Sequence, residues 1–184
     1  LKPHPNTLLL ARFPRPAAGE YPAFFEPYLQ KCGDPHWQSI LLAELPAMAV
    51  LARSLPENRG DDRYAEGKWS VKETIGHVID AERVFAYRAL CFARGESAPL
   101  PAFDQDIYVA HSGAGARRLV DLADEFEAVR RSTIALLASL DEAARARKGT
   151  ASGKTVSVAA LVRAIAGHEV HHLAIFRDRY GIVG

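Results

Sequence analysis

Toward its end the chain carries Gly167-His168-Glu169-Val170-His171-His172, three histidines within five positions. On an α-helix His168 and His172 stand one turn apart and about 40° apart around the axis, so their imidazoles share a face. That spacing lets two ring nitrogens meet one metal ion. Leu161, Ile165, Ile175 and Phe176 project within roughly 80° of His168, which turns the pair toward an apolar interior. His171 falls about 60° to the other side. Two ligands do not make a site, and the leading third is His77, whose helical neighbours Thr74, Ala81 and Phe85 are small or apolar. In helical bundles, inward residues on facing helices build metal sites, and three histidines leave coordination positions for water or substrate. Glu73 and Asp80, four before and three after His77, are placed to reach its free ring nitrogen and fix its tautomer. Spacing alone admits another reading: a solvated basic helix end, suited to the macrodipole, with His77 as a hydrogen-bonded core residue. His4, His36 and His111 fall in an arm, at a helix start and in a loop, and need no functional account.

The elements that must position these residues are helical. Residues 1–35 form an N-terminal arm: a Pro-rich extended stretch over 1–23, with Pro3, Pro5, Pro14, Pro16 and Pro22, then a short helical turn from Ala23 to Cys32. The spacing predicts a first long helix over His36 to Ser54, kinked at Pro46. A polar loop follows from Pro56 to Gly67. Ser70 with Glu73 three residues on is a capping box, and it opens a second helix that runs to about Arg94. Pro99 to Gly115 is a long connection containing Phe103-Asp104-Gln105-Asp106, and connections of this length are often functional. Leu119, Leu122, Phe126, Val129, Thr133, Leu136, Leu137 and Leu140 form the apolar stripe of a third helix over Ala116 to Leu140. Ala144 to Lys154 reads as a surface loop, and Thr155 or Ser157 caps a fourth helix ending near Tyr180. No stretch alternates long enough at period two to require a sheet. The expected fold is therefore all-α: one compact four-helix bundle over residues 36–184, with long connecting loops.

Composition excludes several classes of function. The chain has 184 residues with 23 basic and 22 acidic side chains, a net charge of +1, so it lacks the electrostatic footprint of a nucleic-acid or anionic-membrane binder. Cys32 and Cys91 are too few for a disulfide scaffold and form no CxxC pair. A reducing cytoplasm fits best, since no apolar run reaches membrane-spanning length and the first residues lack a signal-peptide layout. Cys91, small and near a helix end, is not a candidate nucleophile.

Three stretches, Lys68-Trp69-Ser70-Val71-Lys72-Glu73 through Gly76-His77-Val78-Ile79-Asp80-Ala81-Glu82-Arg83, then Phe103-Asp104-Gln105-Asp106, then Gly167 to His172, together resemble the DinB-like superfamily in its DinB_2 branch. The resemblance runs over roughly residues 36–182 in the expected order. It implies a four-helix bundle, usually homodimeric, with a divalent metal held by three histidines, which fall on His77, His168 and His172. It also implies a choice of chemistries: thiol-dependent S-transfer, mycothiol-dependent maleylpyruvate isomerisation, or metal-dependent hydrolysis. The expectation is thus a metal-dependent enzyme acting on a small molecule, with thiol transfer preferred and a low-molecular-weight thiol as co-substrate. Hydrolysis at the same site is the alternative, and a non-enzymatic, stress-related or scaffolding dimer is the other. Zinc, nickel and iron all suit such ligands. Asp104 and Asp106 either bind substrate or cap and shape their loop, and Arg83, Tyr87 and Arg88 are either pocket residues or surface pairs.

Overall fold

A computed structural model describes residues 13–33 and 36–182. Its helices are α1 (Glu26–Lys31), α2 (His36–Leu41), α3 (Ala47–Ser54), α4 (Val71–Ala93), α5 (Gln105–His111), α6 (Leu119–Ala138), α7 (Glu142–Ala146) and α8 (Val158–Arg179), with a two-stranded hairpin, β1 (Lys148–Ala151) and β2 (Lys154–Ser157), between α7 and α8. The bundle is α4, α6, α8 and the broken pair α2 and α3: α4 packs on both α6 and α8, α3 packs on α6, and α1 and α2 lie on α8. Among the described residues no helix is long and apolar enough to cross a membrane. Arm residues 1–12, His4 included, and residues 34–35 lie outside the described residues.

Local chemistry sets the helix starts. Ser70 Oγ accepts from the Glu73 N–H at 3.2 Å and Glu73 Oε2 accepts from the Ser70 N–H at 2.7 Å, the reciprocal pair that opens α4. Ser157 caps α8 by accepting from the Ala160 N–H. Arg118 has no side-chain acceptor to cap α6, and Glu57 supplies one from a distant loop by accepting from the Leu119 N–H.

Three expectations are corrected. The single kinked helix over 36–54 is two helices, because Pro46 has no N–H for the Leu42 carbonyl and biases Leu45 away from the helical region. The stretch 99–115 is not all loop: Asp104 Oδ1 accepts from the N–H groups of Asp106 and Ile107 and starts α5. Residues 144–154, expected as surface loop, begin in the end of α7, and Lys148–Ala151 then pairs with Lys154–Ser157 as a hairpin in the register Lys148↔Ser157 to Ala151↔Lys154. Its two-residue turn places Ser152 and Gly153 at φ 53° and 69°, the left-handed geometry that matches strand twist. Strands of four residues are too short for alternation to be read from sequence.

The bundle is tied by one buried ionic group. Arg130 on α6 donates from Nε at 3.0 Å and Nη2 at 2.9 Å to the Glu82 carboxylate on α4, and from Nη2 at 2.9 Å to Glu169 on α8. Its Nη1 reaches the carbonyl of Ile40 in α2 at 3.4 Å, and Glu169 Oε1 accepts from the Met48 N–H in the first turn of α3 at 3.0 Å. All three charged side chains are at most 3% exposed. Burial opposes the guanidinium's charge, but the two carboxylates more than offset this and hold its pKa above the ordinary arginine value. Replacing Arg130→Met leaves two buried carboxylates facing each other. The expected loss is about 3–5 kcal/mol of unfolding free energy, read from urea denaturation; a loss under about 1 kcal/mol would count against this group as the tie.

Candidate metal centre

The start of α4 meets the end of α8, where the Tyr180 hydroxyl donates to the Trp69 carbonyl at 2.6 Å and stands 3.3 Å from Thr74 Oγ1. The two helices therefore run antiparallel, and His77 faces the turn of α8 that carries His168 and His172. Nε2 of His168 stands 3.2 Å from Nε2 of His77 and 3.1 Å from Nε2 of His172. One ring nitrogen of each residue lies within 4.8 Å of the others, and all three residues are buried. The structure brings together the three histidines singled out by spacing. His171 is half-buried with its ring against Tyr28 and His172, outside the group.

Aromatic side chains wall the histidines. Trp69 lies 4.7 Å from His77 between ring centroids, Tyr28 meets His168 edge-on at 5.2 Å, and Phe85 meets it at 5.9 Å. Tyr28 comes this close because Gly167 has no side chain: a Cβ there would sit 2.1 Å from the Tyr28 carbonyl oxygen. Burial, the dominant cause, pushes the His77 pKa down to about 4 and those of His168 and His172 well below the usual imidazole value. Neutral rings are the form that ligates metal.

The cluster fits a divalent cation. A neutral imidazole nitrogen offers either one hydrogen or one lone pair, so His168 Nε2 can satisfy only one of its two neighbours. Ligand atoms at tetrahedral or octahedral angles around an ion about 2.1 Å away stand about 3.0–3.4 Å apart, the spacing found on both sides of His168. The Nδ1 atom of His172 is buried with no partner among the described residues.

Two cavities adjoin the histidines. The larger, about 640 Å³, reaches His172 and is lined by Tyr64, Lys68, Trp69, Asp106 and Tyr180 among others. The smaller, about 170 Å³, reaches His77 and His168 between Tyr28, Phe85, Arg88 and Phe103. Gln105 lines both.

Other expectations divide. Glu73 and Asp80 do not support His77, because the Glu73 carboxylate is held by Ser70 and Arg63 and Asp80 pairs with Arg83. Arg83 also pairs with Glu125, and Tyr87 is 56% exposed, so neither is near the histidines. Asp104 is a helix cap, whereas Asp106 and Arg88 line cavities. Cys32 is buried, its thiol pushed up to about 11 by burial, and both cysteines are free. Sequence reasoning missed Tyr28, Trp69, Phe103, Gln105 and Tyr180. Trp69, Phe103 and Gln105 stood in the quoted motifs, but Tyr28 carried no signal.

The DinB superfamily model matches residues 41–176, and the chain belongs to that superfamily. Among solved structures it is similar to YfiT from Bacillus subtilis, described as "a probable metal-dependent hydrolase with an unusual four-helix bundle topology". The two share 14% identity and a TM-score of 0.67 over 92% of this chain and 95% of that one, a likeness of fold. A search of curated proteins matched none.

Without an ion between them, burial of these rings carries a pH-dependent cost. Folded His77 takes up a proton only near pH 4, whereas an unfolded histidine does so near 6.5, so between these values the unfolded chain binds more protons. Stability of the metal-free protein is therefore expected to fall as pH drops through this window, by about 3 kcal/mol from His77 alone. Urea midpoints in chelator at stepped pH should show the decline, and His77→Leu should make it shallower, His168 and His172 supplying the remainder. An equally steep profile in the variant would refute the assignment.

Proposed function

We propose that the protein is a metal-dependent enzyme in which His77, His168 and His172 hold one divalent ion and that its reaction is thiol transfer to a small electrophile. The observation that carries this reading is the position of the three converging nitrogens between two unequal cavities. A transfer reaction must hold two organic partners against one centre, and two cavities reach these histidines, one at His172 and the other at His77 and His168.

A divalent ion held by His77, His168 and His172 would supply Lewis acidity, lowering the pKa of a bound thiol or water into the neutral range. The chain supplies the rest. Because burial keeps the three imidazoles neutral, they would leave a bound ion its full positive charge, which would favour an anionic partner such as a thiolate. Tyr64, Lys68, Gln105 and Asp106 give the larger chamber the polar groups that a hydrophilic thiol needs. In the smaller chamber Tyr28, Phe85 and Phe103 exclude water from around the acceptor. Attack by the thiolate sulfur forms a carbon–sulfur bond, the leaving group departs with its bonding electrons, and the thiol proton passes to solvent.

A second reading, hydrolysis with water in place of the thiol, draws support from the description of the YfiT structure. Metal analysis should find about one divalent ion per chain in the wild type and strong depletion in His77→Ala and His168→Ala; unchanged occupancy in both would overturn the site. A panel of low-molecular-weight thiols with an electrophilic acceptor should then show metal-dependent turnover. Turnover of esters or amides without any thiol, together with flat rates across the thiol panel, would favour hydrolysis.

A further inference from the structure

Arg88 is 5% exposed, yet among the described residues it has no carboxylate partner. Its Nη2 donates to the Pro101 carbonyl at 2.8 Å and to Ser152 Oγ at 3.1 Å, both neutral acceptors. Its guanidinium also stands over the Phe103 ring, 5.6 Å from the centroid. Nε and Nη1 have no acceptor among the described residues. Burying a charge without a counter-charge is unfavourable, and burial lowers this arginine's pKa from its ordinary value. Arg130 differs, being held by two carboxylates. Arg145, whose partners are a backbone carbonyl and Phe13, lines no cavity that reaches the histidines.

Placement gives Arg88 a use. It follows His77 by eleven residues on α4, which returns it to within about 20° of the same face and about 16 Å further along the axis. Helical side chains lean toward the N-terminus, so its guanidinium leans back toward the histidines across Ala81, whose small side chain leaves the space between them open. The hairpin turn supplies Ser152 and the strand-like segment at Leu100 supplies Pro101, so two loops outside the bundle are tied to this one cation.

We propose that the smaller cavity is a carboxylate subsite, in which Arg88 takes the carboxylate of a substrate whose aromatic or apolar body lies among Tyr28, Phe85 and Phe103. Nη1, which no acceptor among the described residues holds, is free to donate to a carboxylate oxygen, and a charge-assisted bond of that kind is a strong one. The subsite rests on the metal-dependent reading for the reaction it serves, but not for binding, since Arg88 is not a metal ligand.

Calorimetric titration of the full chain with benzoate and with its neutral amide, benzamide, separates the possibilities. Wild type should bind benzoate with similar affinity, within about twofold, whether metal-loaded or chelator-stripped, and benzamide at least about tenfold more weakly. Arg88→Gln should lose at least about tenfold in benzoate affinity, and Arg88→Lys should fall between, keeping the charge on a head that does not reproduce the placement of the guanidinium's N–H groups. Equal binding of benzoate and benzamide by wild type would overturn the subsite, and that comparison decides even where Arg88→Gln does not fold. Benzoate binding that vanishes on stripping and is unchanged in Arg88→Gln would also overturn it, placing the carboxylate on the metal. A chain that holds no metal but discriminates benzoate through Arg88 would refute the metal reading while leaving the subsite standing.

Discussion

The placing of every other group in this bundle depends on where Arg130 is buried. One guanidinium sits between two carboxylates with almost no access to water, and such a group is tolerable only if each charge finds its partner with good geometry. That demand fixes α6 against both α4 and α8. It also reaches the broken first helix, whose two halves present the Ile40 carbonyl to Arg130 and the Met48 N–H to Glu169. Glu169 is the residue after His168, and Glu82 lies five positions beyond His77. A slip of one residue in either helix would break the ion pairs and turn the imidazoles apart, so the tie that holds the bundle also sets the register of the site.

A second constraint is the close approach of α1 to α8. Tyr28 can lie over His168 and His171 only because Gly167 leaves room for its backbone. With Trp69 and Phe85 on other sides, the imidazoles lose the water that would let them carry charge. Stability and chemistry pull in opposite directions here. Three neutral rings with converging nitrogens satisfy one another poorly, and the same arrangement is what a cation needs.

The histidine cluster was the most legible part of the sequence, because a helical period of 3.6 places His168 over His172 and apolar neighbours show which way they point. The capping box at Ser70 and the stripe on α6 were equally direct, being local patterns. What was hidden depends on contacts distant in sequence. Nothing near Glu82, Arg130 or Glu169 marks them as partners, since charged residues on long helices usually face water. Tyr28 lies in a short helix whose packing is decided by a glycine far along the chain. The hairpin was missed because four-residue strands carry no period, although its Ser152-Gly153 turn was a usable sign. Glu73 shows the opposite error: helical spacing put it beside His77, but a capping role and Arg63 claimed its carboxylate first.

Electrostatics joins the two chambers into one reading. A thiolate and a carboxylate-bearing acceptor repel each other in water, and bringing them into contact in a low-dielectric cleft would magnify that repulsion. The proposed site answers with two separated positive centres, a divalent ion held by uncharged ligands and the guanidinium of Arg88. Each offsets one anion while the aromatic side chains around the smaller cavity keep water out. The same two groups are poorly satisfied when nothing is bound, Arg88 through its unpaired charge and the histidines through their converging nitrogens. Buried polar groups that the fold leaves incompletely matched are the places where a ligand contributes most, and here both open onto cavities that meet at Gln105.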